Sequence, residues 1–578
     1  MSKLPRYILG VSAYFHDSAA ALVKDGKVVV AIQEERLSRI KQDAALPVKA
    51  IELCLEQEGI NISEVDKIAY FEKPFLKFER LLETQIGQYP YTFLPFRKTV
   101  KSWLREKLWV PHNLTKATGY KGAFFYAEHH ESHAAAACFS SPFDESAFLT
   151  IDGVGEWACA SYGIYEDNKL TILAEQKYPH SVGMLYSAFT QYCGFKVNSG
   201  EYKLMGLAPY GKPEYAELIK ENLVTIREDG SVELNLTYFK FHRGLRMINR
   251  RFEELFGMNA RKEESKMEQF YMDIASSIQE VLEEIVLASA THIRKVTGKK
   301  NLCYSGGVAL NCKANQKLAE AKIFDDVHIY SASGDAGGAI GAALLAANQS
   351  SKRAIQSIPS YLGKVFSNDE ILETLAGNAV NYESHEQSIL LEKTSKLLAD
   401  GKVIGWFQGK DEMGPRALGN RSILASPMND EMRDVVNMKI KFREQFRPFA
   451  PVIMEEFANE YFNNVHNANE MLYTFTCHQS TKIPACVHKD NSARVQTVNS
   501  IQNKPLYDLI KKFSSLTGVP VLINTSFNRR GEPMVHSPFD ALRTFFGSGI
   551  DYLVMNNYII SKVENEHVNI KDITRELD

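Results

Sequence analysis

Two segments far apart in the chain share one plan, and few folds are built on a repeated strand–turn–strand unit. The first, "YILGVSAYFHDSAAALVKDGKVVVAIQEER", begins at Tyr7; the second, "AFLTIDGVGEWACASYGIYEDNKLTILAEQ", begins at Ala147. Each reads as an apolar strand, a glycine-containing turn with an acidic residue, a second strand, a polar turn and a third strand. Asp25-Gly26 is a strong two-residue hairpin turn, and Asp167-Asn168 a fair one. The turn chemistry repeats along with the strands, which ordinary hairpins in an α/β protein would not require.

A duplicated unit of this kind is how actin-like, sugar-kinase-like ATPase folds are built, with turn backbone and carboxylate facing phosphate or metal between the halves. At 578 residues the chain exceeds what one core supports. Its composition, 45% hydrophobic and 24% charged, is that of a folded protein and not of a disordered one. A net charge of −3 gives no global basic footprint for nucleic acid. The eight cysteines are scattered without a CxxC pair, which fits reduced, buried thiols and a cytoplasmic protein. The opening residues carry no long uninterrupted apolar run, so neither a signal peptide nor a membrane span is expected.

"EHHESHAAAA", residues 128–137, predicts a helix on which His129 and His133 share a face at i and i+4. Two imidazoles so spaced can meet one metal ion, whereas a polar helix start with ordinary hydrogen-bonded histidines would need no further ligand. "GDAGGAIGAA" offers Asp335 in a glycine-rich strand-to-helix turn, and the second duplicated turn offers Asp152. Two histidines and two aspartates make a site for iron(II), zinc or manganese. A zinc-protease reading fails because HExxH is absent: position 134 is alanine. In "NLCYSGGVALN" Gly306 and Gly307 would let backbone amides approach a nucleotide, with Asn311 and, further on, Gly337 in the same glycine-rich surroundings.

From about Gln349 a polar stretch with Pro359 and Gly363 reads as a domain connection, dividing the chain into 1–350 and 351–578. Beyond it, cations cluster in glycine- and aromatic-bearing turns. "GKDEMGPRALGNRSILASP" holds Lys410, Arg416 and Arg421; "KIKFREQFRPFAPVI" holds Lys441, Arg443 and Arg447. "SARVQTV" adds Arg494, and "VLINTSFNRRGEPM" adds Asn524, Ser526, Arg529 and Arg530. Guanidinium forks grip phosphate bidentately, and several such turns suit two phosphorylated ligands. Lys441 and Arg443 share a face only if their segment is a strand; a helix is equally open. The competing account is a solvated surface with arginines in salt bridges.

These motifs, in order from "HDSAAALV" and "EERLSRIKQD" through "HHESHAAAA", "GEYKLMGLAPYG", "SGGVALN", "GDAGGAIGAA", "GPRALGNRSILASP", "FREQFRPFAPV" and "ARVQTV" to "NTSFNRRGEP", resemble the O-carbamoyltransferases of nodulation-factor and antibiotic biosynthesis, the NodU/CmcH type. The resemblance implies an α/β N-terminal domain with a duplicated actin/sugar-kinase-like, threonylcarbamoyl-transferase-like ATPase fold. It implies a C-terminal α+β domain similar to the threonylcarbamoyl-adenylate synthases. The implied function is ATP-dependent O-carbamoyl transfer. Carbamoyl phosphate and ATP, with Mg2+, give carbamoyl adenylate and pyrophosphate in the C-terminal domain; the N-terminal domain passes the carbamoyl group to a hydroxyl of a small-molecule acceptor and releases AMP.

By the same resemblance His129, His133, Asp152 and Asp335 hold one transition metal, iron(II) ahead of zinc or manganese. His16 is the acceptor's base and Lys41 lies near the transferred group; Lys441, Arg443, Arg447, Arg494 and Arg529 or Arg530 meet the phosphates. Where the family often has Phe-Pro after that lysine, this chain has Leu46-Pro47, which bears on the acceptor pocket. A homodimer is a candidate assembly, no membrane partner is expected, and nucleic acid is disfavoured. Two rival readings are carbamoyl-type transfer to tRNA or another nucleic acid, and a non-catalytic, nucleotide-switched binding protein. The second leaves the arginine-rich domain and the histidine pair unexplained.

Overall fold

The computed structural model describes residues 5–89, 91–244, 246–348, 358–441, 449–568 and 570. The chain forms two compact units: Met1–Glu34 with Asp43–Pro359, and Glu35–Gln42 with Ser360–Asp578. The second unit is therefore discontinuous, since it includes eight residues from near the start of the chain.

In the first unit, strands β1 (Tyr7–Ser12), β2 (Ala19–Lys24), β3 (Lys27–Gln33), β4 (Val65–Tyr70) and β5 (Ala123–Tyr126) form a sheet in the order β3-β2-β1-β4-β5. Strands β6 (Ser146–Ile151), β7 (Ala158–Glu166) and β8 (Lys169–Lys177) follow, and then a small ribbon of β9 (Val224–Ile226) and β10 (Val232–Leu234). With β11 (Asn301–Ser305) and β12 (Asp326–Ile329), β6–β8 make a second sheet in the order β12-β11-β6-β7-β8. The two orders are the same: an antiparallel three-strand meander, then two strands added in parallel beside its first strand. This is the duplicated actin/sugar-kinase-like fold. Both hairpin turns put two residues at positive φ, 49° and 83° at Asp25-Gly26 and 51° and 59° at Asp167-Asn168, as a type I′ turn demands.

Why the chain spends so many small residues on "HAAAA" and "DAGGAIGAALLAA" is visible in the packing. The helices His129–Ser140 and Asp335–Asn348 lie backbone against backbone. A methyl group at Gly341 would stand 1.8 Å from the carbonyl oxygen of Ser132, and one at Gly10 of β1 would stand 1.9 Å from that of Ala339. The alanines thus admit a second helix rather than a ligand. A third helix, Gln269–Thr297, buries one apolar stripe and ends at Gly298 in the left-handed conformation.

In the second unit, strands β13 (Glu383–Ser384), β14 (Ile404–Phe407), β15 (Arg421–Ala425) and β16 (Ala450–Met454) are followed by the short pair β17 (Phe475–Thr476) and β18 (Ser492–Ala493). With β19 (Gln496–Val498), β20 (Val521–Ser526), β21 (Tyr552–Met555) and β22 (Tyr558–Ser561), four of these build a mixed sheet in the order β13-β22-β21-β14-β15-β20-β16-β19. Helices such as Lys504–Thr517 and Pro538–Phe546 accompany it, so the unit is α+β. Asn437–Lys441 is a helical turn, so Lys441 does not lie on a strand. Residues 442–448 fall outside the described residues, and Arg443 and Arg447 with them. No helix among the described residues is long and apolar enough to cross a membrane.

Gly341→Ala is expected to destabilise the protein by about 1–3 kcal/mol, because neither backbone at that contact can yield cheaply. Gly206→Ala, on the helix Glu201–Leu207 with nothing within 4 Å of the added methyl, is expected to keep or raise the melting temperature. Equal melting temperatures for both variants would refute the packing account.

Candidate metal centre and anion-binding loops

The helix His129–Ser140 begins under strong local direction. Glu131 reaches back to the Glu128 amide at 3.3 Å, and both Glu156 carboxylate oxygens accept the His129 amide at 3.1 Å. Carboxylates at a helix N-terminus meet its unsatisfied N–H groups and its positive dipole end. That start fixes His129 and His133 one turn apart with their Nε2 atoms 3.2 Å from each other. Asp152 follows β6 directly, and Gly307 N–H donates to its Oδ1 at 3.2 Å. Asp335 is the first residue of its helix.

The four side chains converge. Asp152 Oδ2 lies 3.0 Å from His129 Nε2 and 3.4 Å from His133 Nε2; Asp335 Oδ1 lies 3.4 Å from His133 Nε2 and 3.7 Å from His129 Nε2. Such spacing suits ligand atoms around a first-row ion with bonds of about 2.0–2.2 Å. Two imidazole nitrogens 3.2 Å apart cannot both carry a proton along that line, so the pair fits one shared cation. Burial alone would depress His129, yet the carboxylates of Asp152, Glu72 and Asp335 outweigh it and push its pKa up to about 10. Burial would raise Asp152, but hydrogen bonds from His129 and His133 hold it well below the usual carboxylate range. The pocket demands positive charge, and the two-histidine, two-aspartate donor set fits a transition metal.

His16 stands at the edge of this cluster. Its Nε2 is 3.8 Å from Asp335 Oδ2 and its Nδ1 is 3.1 Å from Asp17 Oδ2. Burial lowers its pKa, but Asp335, Asp17 and Asp152 together raise it to about 9. Its neighbours Tyr14 and Asp17 both have positive φ, 71° and 55°, and Lys107 Nζ donates to the Tyr14 carbonyl at 2.6 Å.

Three residues essential to this geometry were missed in the sequence. Glu72, just past β4, places Oε2 3.6 Å from His129 Nδ1 and is held by buried Lys77 at 2.5 Å. Glu156 serves the helix start and also accepts the Lys73 amide at 2.7 Å. An acidic residue directly after an apolar strand is the one local signal for Glu72, and it is too common to single a residue out.

The glycine-rich passage is used for packing and turns. A methyl at Gly306, whose φ is 89°, would meet the Ile151 carbonyl at 2.3 Å; at Gly337 it would meet that of Ala332 at 1.9 Å. Asn311 caps the helix Cys312–Glu320 through the Ala314 amide at 3.1 Å and exchanges two hydrogen bonds with Gln279.

The cations of the second unit divide. Arg421 is buried: Nη1 donates to the carbonyls of Gln408, Gly409 and Asn420, Nε pairs with Asp411 at 3.1 Å, and the Phe407 ring lies 3.8 Å away. Lys441 Nζ donates to Ser526 Oγ at 3.1 Å and to Asn528 Oδ1 at 2.8 Å, as well as to both backbone carbonyls. Asn524 is buried, donating to Gln496 Oε1 at 2.6 Å, and Arg529 pairs with Glu532 at 2.6 Å. These groups shape the loops, whereas Arg416, Arg494 and Arg530 are half-buried side chains carried on or beside them. Lys41 belongs to the Glu35–Gln42 segment of the second unit.

With both units described, comparison with known proteins decides the family. The family model described as Carbamoyltransferase N-terminus matches residues 7–344, and that described as Carbamoyltransferase C-terminus matches residues 395–562. The chain belongs to the carbamoyltransferase family. It is a carbamoyl-transferring enzyme. Relatives include the uncharacterized protein sll1178 of Synechocystis, 46% identical, with 96% of this chain and 97% of that protein covered. Nodulation protein NolNO of Sinorhizobium fredii is 35% identical across 95% of this chain and 80% of its own length. Nodulation protein U of Rhizobium tropici is 29% identical across 95% of each.

His133→Ala is expected to abolish bound transition metal. Glu72→Gln, which removes the charge facing His129, should weaken metal affinity about 10–100-fold. Elemental analysis and a chelator titration measure both, and unchanged metal content in His133→Ala would remove these four residues as a metal site.

Proposed function

We propose that the enzyme makes carbamoyl adenylate in its second unit and transfers the carbamoyl group to a hydroxyl of a small-molecule acceptor in its first. Atom balance in the first step requires water to open carbamoyl phosphate to carbamate and phosphate. The carbamate oxygen then attacks the α-phosphorus of ATP, and pyrophosphate leaves. In the second step the acceptor oxygen attacks the carbamoyl carbon, the bond to AMP breaks, and the acceptor's proton passes to a base.

The observation that carries the reading is the convergence of His129, His133, Asp152 and Asp335 beside His16. A metal held by those four residues would supply Lewis-acid polarisation of a carbonyl or leaving phosphate. His16 Nε2 receives the acceptor's proton. Asp335, Asp17 and Asp152 hold its pKa high; a cation held by Asp335 and Asp152 would offset that pull and move the imidazole toward the near-neutral range that suits a general base. Adenylation gives the carbamoyl group a good leaving group, so the base meets an activated carbonyl.

For the first step the reading rests on the cation-bearing loops. Lys441 fixes the turn at Ser526 and Asn528, next to Arg529 and Arg530. Arg416, Arg494 and Arg530 supply guanidinium for phosphate oxygens, and Arg443 and Arg447 stay assigned to the same task by the family motif alone.

His16→Ala should cut transfer from pre-formed carbamoyl adenylate by about 10²–10⁴ while leaving acceptor-independent pyrophosphate release intact. Lys441→Ala should do the reverse. Pyrophosphate release by the wild type must depend on carbamoyl phosphate; ATP turnover without it would defeat the reading.

A further inference from the structure

The segment after β3 does not stay with the sheet that precedes it. Residues Glu35–Gln42 are built into the second unit, although the family's N-terminal model spans them. Two arginines fasten it to loops of that unit. Arg36, 1% exposed, donates from Nη2 to the Gly414 carbonyl at 2.8 Å. Arg39 donates from Nη1 to the Met534 carbonyl at 2.6 Å and from Nη2 to the Pro533 carbonyl at 2.9 Å. Its Nη1 also reaches the Arg36 carbonyl at 3.2 Å, and its Nε lies 3.4 Å from Asp540 Oδ1.

The carbonyls chosen are informative. Gly414 lies two residues before Arg416, and Pro533 closes the turn that carries Arg529 and Arg530. The first of these loops is held from its far side as well, because Glu412 Oε1 accepts the amides of Leu418, Asn420 and Arg421 at 2.9, 2.8 and 3.1 Å. The second is anchored next to the helix Pro538–Phe546, where Asp540, the partner of Arg39, also accepts the Ser537 amide at 3.0 Å. One short segment thus contacts both the loop that carries Arg416 and the loop that carries Arg530.

We propose that Arg36 and Arg39 are positioning residues for the anion-binding loops of the second unit, and therefore act in adenylate formation, not in carbamoyl transfer. The inference rests on the reading above, which assigns those loops to phosphate recognition. Neither arginine touches substrate in this scheme; each sets the height and angle of a loop whose own arginine does. A planar fork with several donors can serve two carbonyls at once, which an ammonium cannot match at the same geometry.

The test uses the full-length, metal-loaded protein with Arg39→Lys and Arg36→Lys, which keep the charge and remove the fork. In acceptor-independent pyrophosphate release, kcat/KM should fall about 10²-fold, the cost of a loop misplaced by about 1 Å, mainly through higher KM for ATP and carbamoyl phosphate. Transfer from pre-formed carbamoyl adenylate, metal content and melting temperature should match the wild type. Wild-type kcat/KM for pyrophosphate release in both variants overturns the proposal. So does a joint loss of both steps with a lowered melting temperature, which marks the arginines as general supports of the fold. A wild-type enzyme that releases no pyrophosphate without acceptor defeats the underlying reading instead, and the proposal falls with it.

Discussion

The first unit depends on one backbone-to-backbone contact. The helices His129–Ser140 and Asp335–Asn348 meet where Gly341 admits the carbonyl of Ser132 and Gly338 admits the Phe71 ring. The residues His129, His133 and Asp335 sit on the opening turns of those two helices. Helices separated by ordinary side chains stand about 8–10 Å apart, a separation that would pull the imidazoles away from the aspartate. Glycine at the contact is what lets His129, His133 and Asp335 from separate helices meet at one point. The same economy recurs where Gly183 packs on the Asp152 carbonyl and Gly155 on the His129 Cβ.

Close packing alone would be unfavourable here, because it gathers buried carboxylates. Asp152, Asp335, Glu72 and Glu156 lie around two imidazoles, and Lys77 pairs with Glu72. An isolated buried charge costs several kcal/mol unless it is paired or hydrogen-bonded. Glu156 is satisfied by amides and Glu72 by an ammonium, which leaves the two aspartates leaning on the imidazoles. The charge pattern and the packing pattern therefore call for the same thing, a cation at the point where the two helices and β6 converge.

Those features were legible in the sequence because each is local. Each copy of the strand–turn–strand unit lies within about thirty residues, two histidines one helical turn apart share a face, and aspartates sit in small-residue turns. The duplicated fold and the four clustered ligands follow from such signals. Glu72 and Glu156 were not legible, since each acquires its role from contact with a segment tens of residues away, and Lys77 matters only through its pairing with Glu72. Cations show the same limit differently. A buried arginine that braces carbonyls, as Arg421 does, and a half-buried one such as Arg416 look alike in a motif such as "GPRALGNRS". Burial distinguishes them, and burial is not written in the motif.

The discontinuous second unit follows from the same reasoning about what sequence distance costs. Arg36 and Gly414 are 378 positions apart, yet each doubling of a closed loop adds only about 0.6 kcal/mol of entropy. A buried carbonyl left without a donor costs about 1–3 kcal/mol by itself. Relative to a ten-residue loop this separation adds about 3 kcal/mol, a cost shared by every contact the segment makes, so a loop can recruit donors from far along the chain. Gly414, Pro533 and Met534 lie outside the strands, and their carbonyls take such donors from Arg36 and Arg39. The chain supplies them before the second unit's main run of residues begins. For that reason a boundary drawn along the sequence, at about residue 350, describes where most of the second unit starts but not what completes it.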